Sequence, residues 1–148
     1  MREILFRAKA INRDKGEFRT KYKNGDWVYG LISRPYKDMF PTLPMEFRNE
    51  NGVDGIEVDY KTVGQFTGLT DKNGKKIFEG DIVKFHTETY TSESDTIGKI
   101  EYFNGTFGIS YKNGKHFLEF INMSMYVRWY EVIGNIHDNP ELLEKYNA

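Results

Sequence analysis

Asp71, Glu79 and Asp81 lie among the glycines and lysines of VGQFTGLTDKNGKKIFEGDIVKF (Val63–Phe85). That mixture is the one expected around phosphate-binding loops and catalytic carboxylates. The spacing argues for neither. Gly74-Lys75-Lys76 lacks the earlier glycine of a Walker loop and is not followed by a Ser or Thr opening a helix. The three acids do not repeat the oxygen-ligand spacing of an EF-hand loop. Every Gly, Asn and Asp of the stretch has a turn to serve, so it reads as a folding element. It comprises a strand ending near Leu69, a hairpin about Asn73-Gly74, and a second turn at Glu79-Gly80-Asp81 leading into Ile82–Phe85.

Other residues with chemical potential are scattered. His86, His116 and His137 form no short metal motif, although distant histidines can converge in a fold. There is no cysteine, which removes disulfides, thiolate zinc fingers, iron–sulfur sites and thiol catalysis, and leaves only zinc bound by His and carboxylates. Ser92 and Ser94 fall in TETYTSESD, which reads as a polar loop without an attendant base, and no Gly-x-Ser-x-Gly elbow occurs. Asp54, Glu57 and Asp59 could hold a divalent ion or supply acid–base carboxylates. A solvated loop edge suits this polar stretch better, because perturbed carboxylates need burial. No catalytic residue, cofactor site or metal ligand is assigned, and the chain is expected not to be an enzyme.

The 148 residues carry a net charge of -1, with 39% hydrophobic and 16% aromatic residues. That size suits one domain, or two small ones, with enough core to fold without metal or disulfide. No apolar run approaches the roughly eighteen residues needed to span a membrane, so a cytoplasmic protein is expected. The charge is unevenly spread: Met1–Lys23 holds eight basic and three acidic residues, whereas Glu46–Asp59 holds five acidic and one basic. A basic strip can track phosphates, or it can face an acidic segment of the same or a neighbouring chain.

The elements that must position these residues are mostly strands. Five Asn-Gly pairs, at 24–25, 51–52, 73–74, 104–105 and 113–114, suit type I′ turns and mark a β-rich chain. Glu3–Ile11 alternates with Ile4, Phe6, Ala8 and Ala10 on one face, and Asp26–Ser33 reads as a second strand. The three prolines of RPYKDMFPTLPMEF predict an irregular connection anchored by Met39, Phe40 and Met45. Its PTLP matches the PxxP spacing of SH3 ligands, but a packed loop is the simpler reading. Glu57–Leu69 reads as a strand with Val58, Tyr60 and Thr62 on one face. Thr96–Phe103, Thr106–Lys112 and Lys115–Ile121 form a three-stranded meander, and Met125–Ile136 adds a strand. About five short strands in this last part suit a small barrel of SH3-like or OB-like type. Asn139 and Pro140 start a short terminal helix that buries Leu142 and Leu143.

MREILFRA at the start, VGQFTGLTDKNGKKIFEGDIV in the middle and EVIGNIHDNPELL at the end resemble the hallmark segments of the YopX family, small proteins encoded by phages and prophages. The resemblance implies a mixed α+β N-terminal part over 1–78, followed by a small SH3-like barrel with a short C-terminal helix over 79–148. The whole is expected to be mostly β. It implies no activity and no catalytic residues.

A non-catalytic protein-interaction module is therefore expected, its partner an unknown host or phage protein, with self-association into a homo-oligomer through unpaired strand edges as one form. Nucleic-acid binding is the alternative, with Lys21, Lys23, Trp27, Tyr29, Lys112 and Lys115 as the candidate surface of cations and interleaved aromatics. A small enzyme or ligand-binding protein comes third. Tyr111 shares a strand face with Phe107 and Ile109, which places it at the core or its edge and weakens the nucleic-acid reading.

Overall fold

A computed structural model of the chain describes residues 3–12, 21–35, 44–112, 114–117 and 127–147. The chain divides into two units, Met1–Phe66 and Thr67–Ala148, and each has its own hydrophobic core.

The first unit contains β1 (Phe6–Lys9), β2 (Trp27–Arg34), β3 (Met45–Asn49), β4 (Ile56–Val58) and the beginning of β5 (Gly64–Thr70), in the sheet order β4-β3-β2-β1-β5. All pairings are antiparallel, with Ala8 opposite Val28, Ile32 opposite Phe47, and Phe47 opposite Ile56. These registers put Ala8, Val28, Phe47, Ile56 and Val58 on one face, where with Ala10 and Met45 they form the core. β4 also bonds back to the end of the first strand, through the Ile11 N–H to Glu57 O and the Asp59 N–H to Lys9 O, so the sheet curls around that core.

Three expectations change here. Ile4 is 62% exposed and Leu5 is buried in its place, because β1 begins only at Phe6 and the period-two alternation does not reach back to Ile4. Met45–Asn49 is a strand: once Pro44 is past, nothing blocks the ladder, and Met45 and Phe47 enter the core. The expected anchors Met39 and Phe40, and all of PTLP but Pro44, lie outside the described residues. The strand predicted over Glu57–Leu69 is interrupted by a 3-10 turn at Tyr60–Thr62. Asp59 drives the break: its Oδ1 accepts the Lys61 N–H at 3.0 Å, and its carbonyl accepts the Thr62 hydroxyl at 2.7 Å.

The second unit contains the remainder of β5 paired with β6 (Lys76–Phe78), then β7 (Asp81–Glu88), β8 (Glu93–Phe103), β9 (Thr106–Tyr111), β10 (Gly114–Phe117), β11 (Val127–Asn135) and helix α1 (Glu141–Asn147). Ile77, Val83, Phe85, Ile100, Phe107, Ile109 and Tyr130 form its core, with Tyr111 packed against them as its strand position predicts. The main sheet runs β10-β9-β8-β7-β11. Mostly-β architecture with a short terminal helix is thus observed, but the expected barrel is not closed. The chain returns after β10 to lay β11 against β7, and among the described residues the two edge strands do not pair. TETYTSESD is a polar loop only over Thr89–Ser92, and its two ends are strand. It extends the β7–β8 hairpin, with His86 opposite Asp95, Thr87 opposite Ser94 and Glu88 opposite Glu93, and its hydroxyls pair across the arm.

The Glu79-Gly80-Asp81 turn is a structural joint. Asp81 is 1% exposed and its carboxylate accepts the Phe78 N–H at 2.8 Å. Gly80, at φ +86, donates to Ile100 O and accepts from the Ile136 N–H. At the far end, the Asn139 side chain turns away from the helix it was expected to cap and accepts the Asn135 N–H at 3.3 Å. It can do so because Gly134 leaves room: a Cβ there would stand 2.6 Å from Asn139 Oδ1.

Candidate binding face

The residues singled out in the sequence fall into both units. Lys21 and Lys23 are exposed just ahead of β2, where Asp26 Oδ2 accepts the Lys23 N–H at 2.8 Å. Tyr22, between them, packs partly onto the first core, and its hydroxyl accepts from the Asn49 amide at 3.1 Å, so it is no stacking platform. Trp27 and Tyr29 share the outward side of β2. Lys112 is exposed just past the end of β9, and Lys115 stands in β10 opposite Ser110. Lys21, Lys23, Trp27 and Tyr29 therefore form one group, on the first unit, and Lys112 and Lys115 another, on the second.

On β2 the outward positions are Trp27, Tyr29 and Leu31, alternating with inward Val28 and Gly30. Register sets Lys9 opposite Trp27, Arg7 opposite Tyr29 and Arg48 opposite Leu31. The Arg7 guanidinium carbon lies 4.7 Å from the Trp27 ring centroid and Lys9 Nζ 5.5 Å from it, both in cation–π range. Arg7 is itself buried, so this end of the face is built, whereas Tyr29 (37% exposed) and Leu31 (50%) remain open to solvent. Beside Leu31, Arg48 binds Asp54 at 2.8 Å. The Arg48 hydrogen bond, followed by those from Ser33 and the Gly55 N–H, holds the Asp54 carboxyl down at about 2. Arg7 and Lys9 belong to the basic Met1–Lys23 strip, but neither they nor Leu31 and Arg48 were among the residues singled out for the surface. Alternation marks Leu31 as a neighbour of Tyr29, but only strand register places Arg7, Lys9 and Arg48 beside this row.

The outward face of the second unit is organised differently. Trp129 stacks on His86, with centroids 5.4 Å apart and planes 7° from parallel, and Lys72 Nζ stands 4.0 Å from its ring. His86 Nδ1 lies 2.7 Å from Asp95, which also takes Lys84 at 2.9 Å. The bonds from His86 and then Lys84 hold Asp95 below the usual carboxylate range. Lys72 pairs with Glu131, Lys99 with Glu101 and Arg128 with Glu88. Each of these cations already faces a carboxylate, an arrangement poorly suited to gathering phosphates. A shallow groove of about 330 Å³ runs past Lys99, Ser110, Tyr111, Lys112 and Leu143, with Ser110 and Lys99 both tied to Glu101.

The acidic trio does not converge. Asp54 is taken by Arg48, Asp59 caps the 3-10 turn, and Glu57 stands opposite Glu46 in the β3–β4 ladder. Among the described residues, no three His, Asp or Glu side chains are placed to hold a metal ion, and no helix is long and apolar enough to cross a membrane.

Among the described residues the chain is mostly β, two antiparallel units with a short C-terminal helix, and the first unit carries an outward strand face of aromatics and cations. The profile described as YopX protein matches residues 17–144, and the chain belongs to the YopX family. Among solved structures it is similar to protein EF1440 from Enterococcus faecalis, at 24% identity and a TM-score of 0.54 over 95% of this chain and 98% of that one, a likeness of fold. No curated protein matches it.

Proposed function

We propose that this protein is a non-catalytic protein-interaction module, an accessory protein of a phage or prophage that works in the cytoplasm of the bacterial host. The observation that carries the reading is the row Trp27, Tyr29 and Leu31 along the outward side of β2, flanked by Arg7, Lys9 and Arg48. Trp, Tyr and Arg are the residues that concentrate binding energy at protein interfaces. A half-exposed leucine between them adds apolar area that a partner can remove from water. The Arg7 and Lys9 cations beside Trp27 favour a second reading, in which the face binds single-stranded nucleic acid by stacking and phosphate contact.

The two readings separate in one experiment. Tagged full-length protein and its Leu31→Asp variant are recovered from phage-infected host cells at moderate salt, with and without nuclease. The protein-interaction reading expects a discrete protein that survives nuclease and is lost with Leu31→Asp. Material that vanishes with nuclease, weakens steeply with salt and is lost with Lys21/Lys23→Ala would establish the second reading instead.

A further inference from the structure

Of the Asn-Gly pairs, those at 24–25, 51–52, 73–74 and 104–105 lie in described turns, and in each of them both residues are exposed. Asn-Gly is the dipeptide best suited to an internal reaction, because glycine puts no side chain in the way as its nitrogen turns towards the asparagine amide. Space does not distinguish these sites: a Cβ on Gly25, Gly52, Gly74 or Gly105 would meet nothing within 4 Å. Hydrogen bonding does. The Gly25 N–H donates to Ala10 O at 2.8 Å, the Gly52 N–H to Asn49 O at 3.0 Å and the Gly74 N–H to Asp71 O at 3.0 Å. The Asn24 side chain is held as well, its Oδ1 accepting the Asn12 N–H at 3.3 Å.

The turn at 104–105 is built differently. Phe103 pairs with Thr106 across it, and Asn104 (φ 49) and Gly105 (φ 80) take the type I′ values. That closure uses the outer residues and leaves the Gly105 N–H out of the ladder, with no acceptor among the described residues. We propose that Asn104-Gly105 is a site of spontaneous covalent modification, at which the chain converts its own asparagine to aspartate and isoaspartate while the turns at 24–25, 51–52 and 73–74 are protected.

In the reaction a base takes the Gly105 amide proton and the nitrogen attacks Asn104 Cγ. The N–Cγ bond forms, the Cγ–Nδ2 bond breaks, and Nδ2 gains the proton and leaves as ammonia. Water then opens the cyclic imide, and nothing is oxidised or reduced. Breaking the new N–Cγ bond gives aspartate, whereas breaking the bond from Gly105 N to the Asn104 carbonyl carbon gives isoaspartate, whose main chain runs through Cβ. A bond from the glycine N–H to a carbonyl opposes both the loss of that proton and the turning of the nitrogen, so Gly25, Gly52 and Gly74 must first be released. Isoaspartate adds a carbon to a two-residue turn whose length sets the β8–β9 register, so the product loosens the second unit.

The test ages the purified full-length chain in mildly alkaline buffer, folded and, in parallel, unfolded in guanidinium. Peptide mapping then measures aspartate and isoaspartate at Asn24, Asn51, Asn73 and Asn104, and each site is scored by its folded rate relative to its own unfolded rate. That ratio is expected to stay near one at Asn104 and to fall about fivefold or more at Asn24, Asn51 and Asn73, as the release of one hydrogen bond requires. A ratio at Asn104 no higher than at the other three would overturn the proposal. Asn104→Gly removes the reacting amide and keeps a residue at ease with positive φ. On ageing, the denaturant midpoint of the wild type should fall as isoaspartate accumulates, and that of Asn104→Gly should hold. An aged wild type whose midpoint is steady, or falls no further than that of Asn104→Gly, would overturn the loosening of the turn.

Discussion

The Asp71 carboxylate accepts the Val132 N–H at 3.0 Å across 61 residues of chain, while its other oxygen accepts the N–H groups of Asn73 and Lys75, each at 2.9 Å. A side chain that looked like a candidate acid is the clasp between the β5–β6 turn and β11.

Replacing it should therefore damage the fold. Asp71→Ala leaves three N–H groups without their charged acceptor and is expected to cost roughly 3 kcal/mol in urea unfolding of the full chain. Burial pushes the Asp71 pKa up, but the N–H groups of Val132, Lys75 and Asn73 together outweigh it and hold the carboxyl below its ordinary value. With the folded-state value depressed, the stabilisation is complete above the ordinary carboxylate range near pH 4 and is lost as pH falls below it. Asp71→Asn should flatten the acid limb of the stability profile. An unchanged acid limb would refute the role.

Tyr130 makes the opposite prediction at high pH. Burial pushes its phenol up to about 12, because the phenolate cannot be solvated in the second core. A raised folded-state value means full stabilisation below the ordinary tyrosine range near pH 10, lost as pH climbs from there towards 12. Spectrophotometric titration should show a late ionisation step belonging to Tyr130, and Tyr130→Phe should remove that step and the alkaline loss of stability that accompanies it.

Gly30 and Gly25 are glycines for different reasons, and alanine should separate them. A Cβ at Gly30 would overlap the Arg48 carbonyl on β3, so Gly30→Ala must push two paired strands apart, at a cost of about 2–3 kcal/mol or more. At Gly25 nothing lies within 4 Å, and only the φ of +88 resists a side chain, at about 1 kcal/mol. Thermal unfolding of both variants checks the order. Equal losses would mean that the close approach of β2 and β3 is not the constraint.

The Asn-Gly turns differ in the same way. Asn104 is at φ 49 before Gly105 at φ 80, the two positive values of a type I′ turn, whereas at 24–25, 51–52 and 73–74 only the glycine is positive. Asn104→Ala is expected to cost about 1 kcal/mol and Asn73→Ala less than about 0.5 kcal/mol, measured by denaturant midpoints.

What the sequence determined by itself is local. Alternation placed Phe107 and Ile109 inside with Tyr111 at the core edge, the described Asn-Gly pairs sit at turns, and Glu79-Gly80-Asp81 starts β7, because period-two burial and turn conformation depend on residues a few positions apart. The same locality explains the misses. Asp59 broke a predicted strand through bonds to Lys61 and Thr62 that alternation does not weigh, and Ser94 joined β8, while Ser92 stayed in the loop, because hydroxyls can pair across strands as well as solvate a loop. Only the tertiary structure decided that β11 lies on β7 and leaves the sheet open, that Trp129 stacks on His86, and that Arg7 and Arg48 flank the Tyr29–Leu31 row. The register between distant strands is chosen, in each unit, by which pairing buries that unit's own core. That is a property of the assembled sheets, and no segment carries it alone.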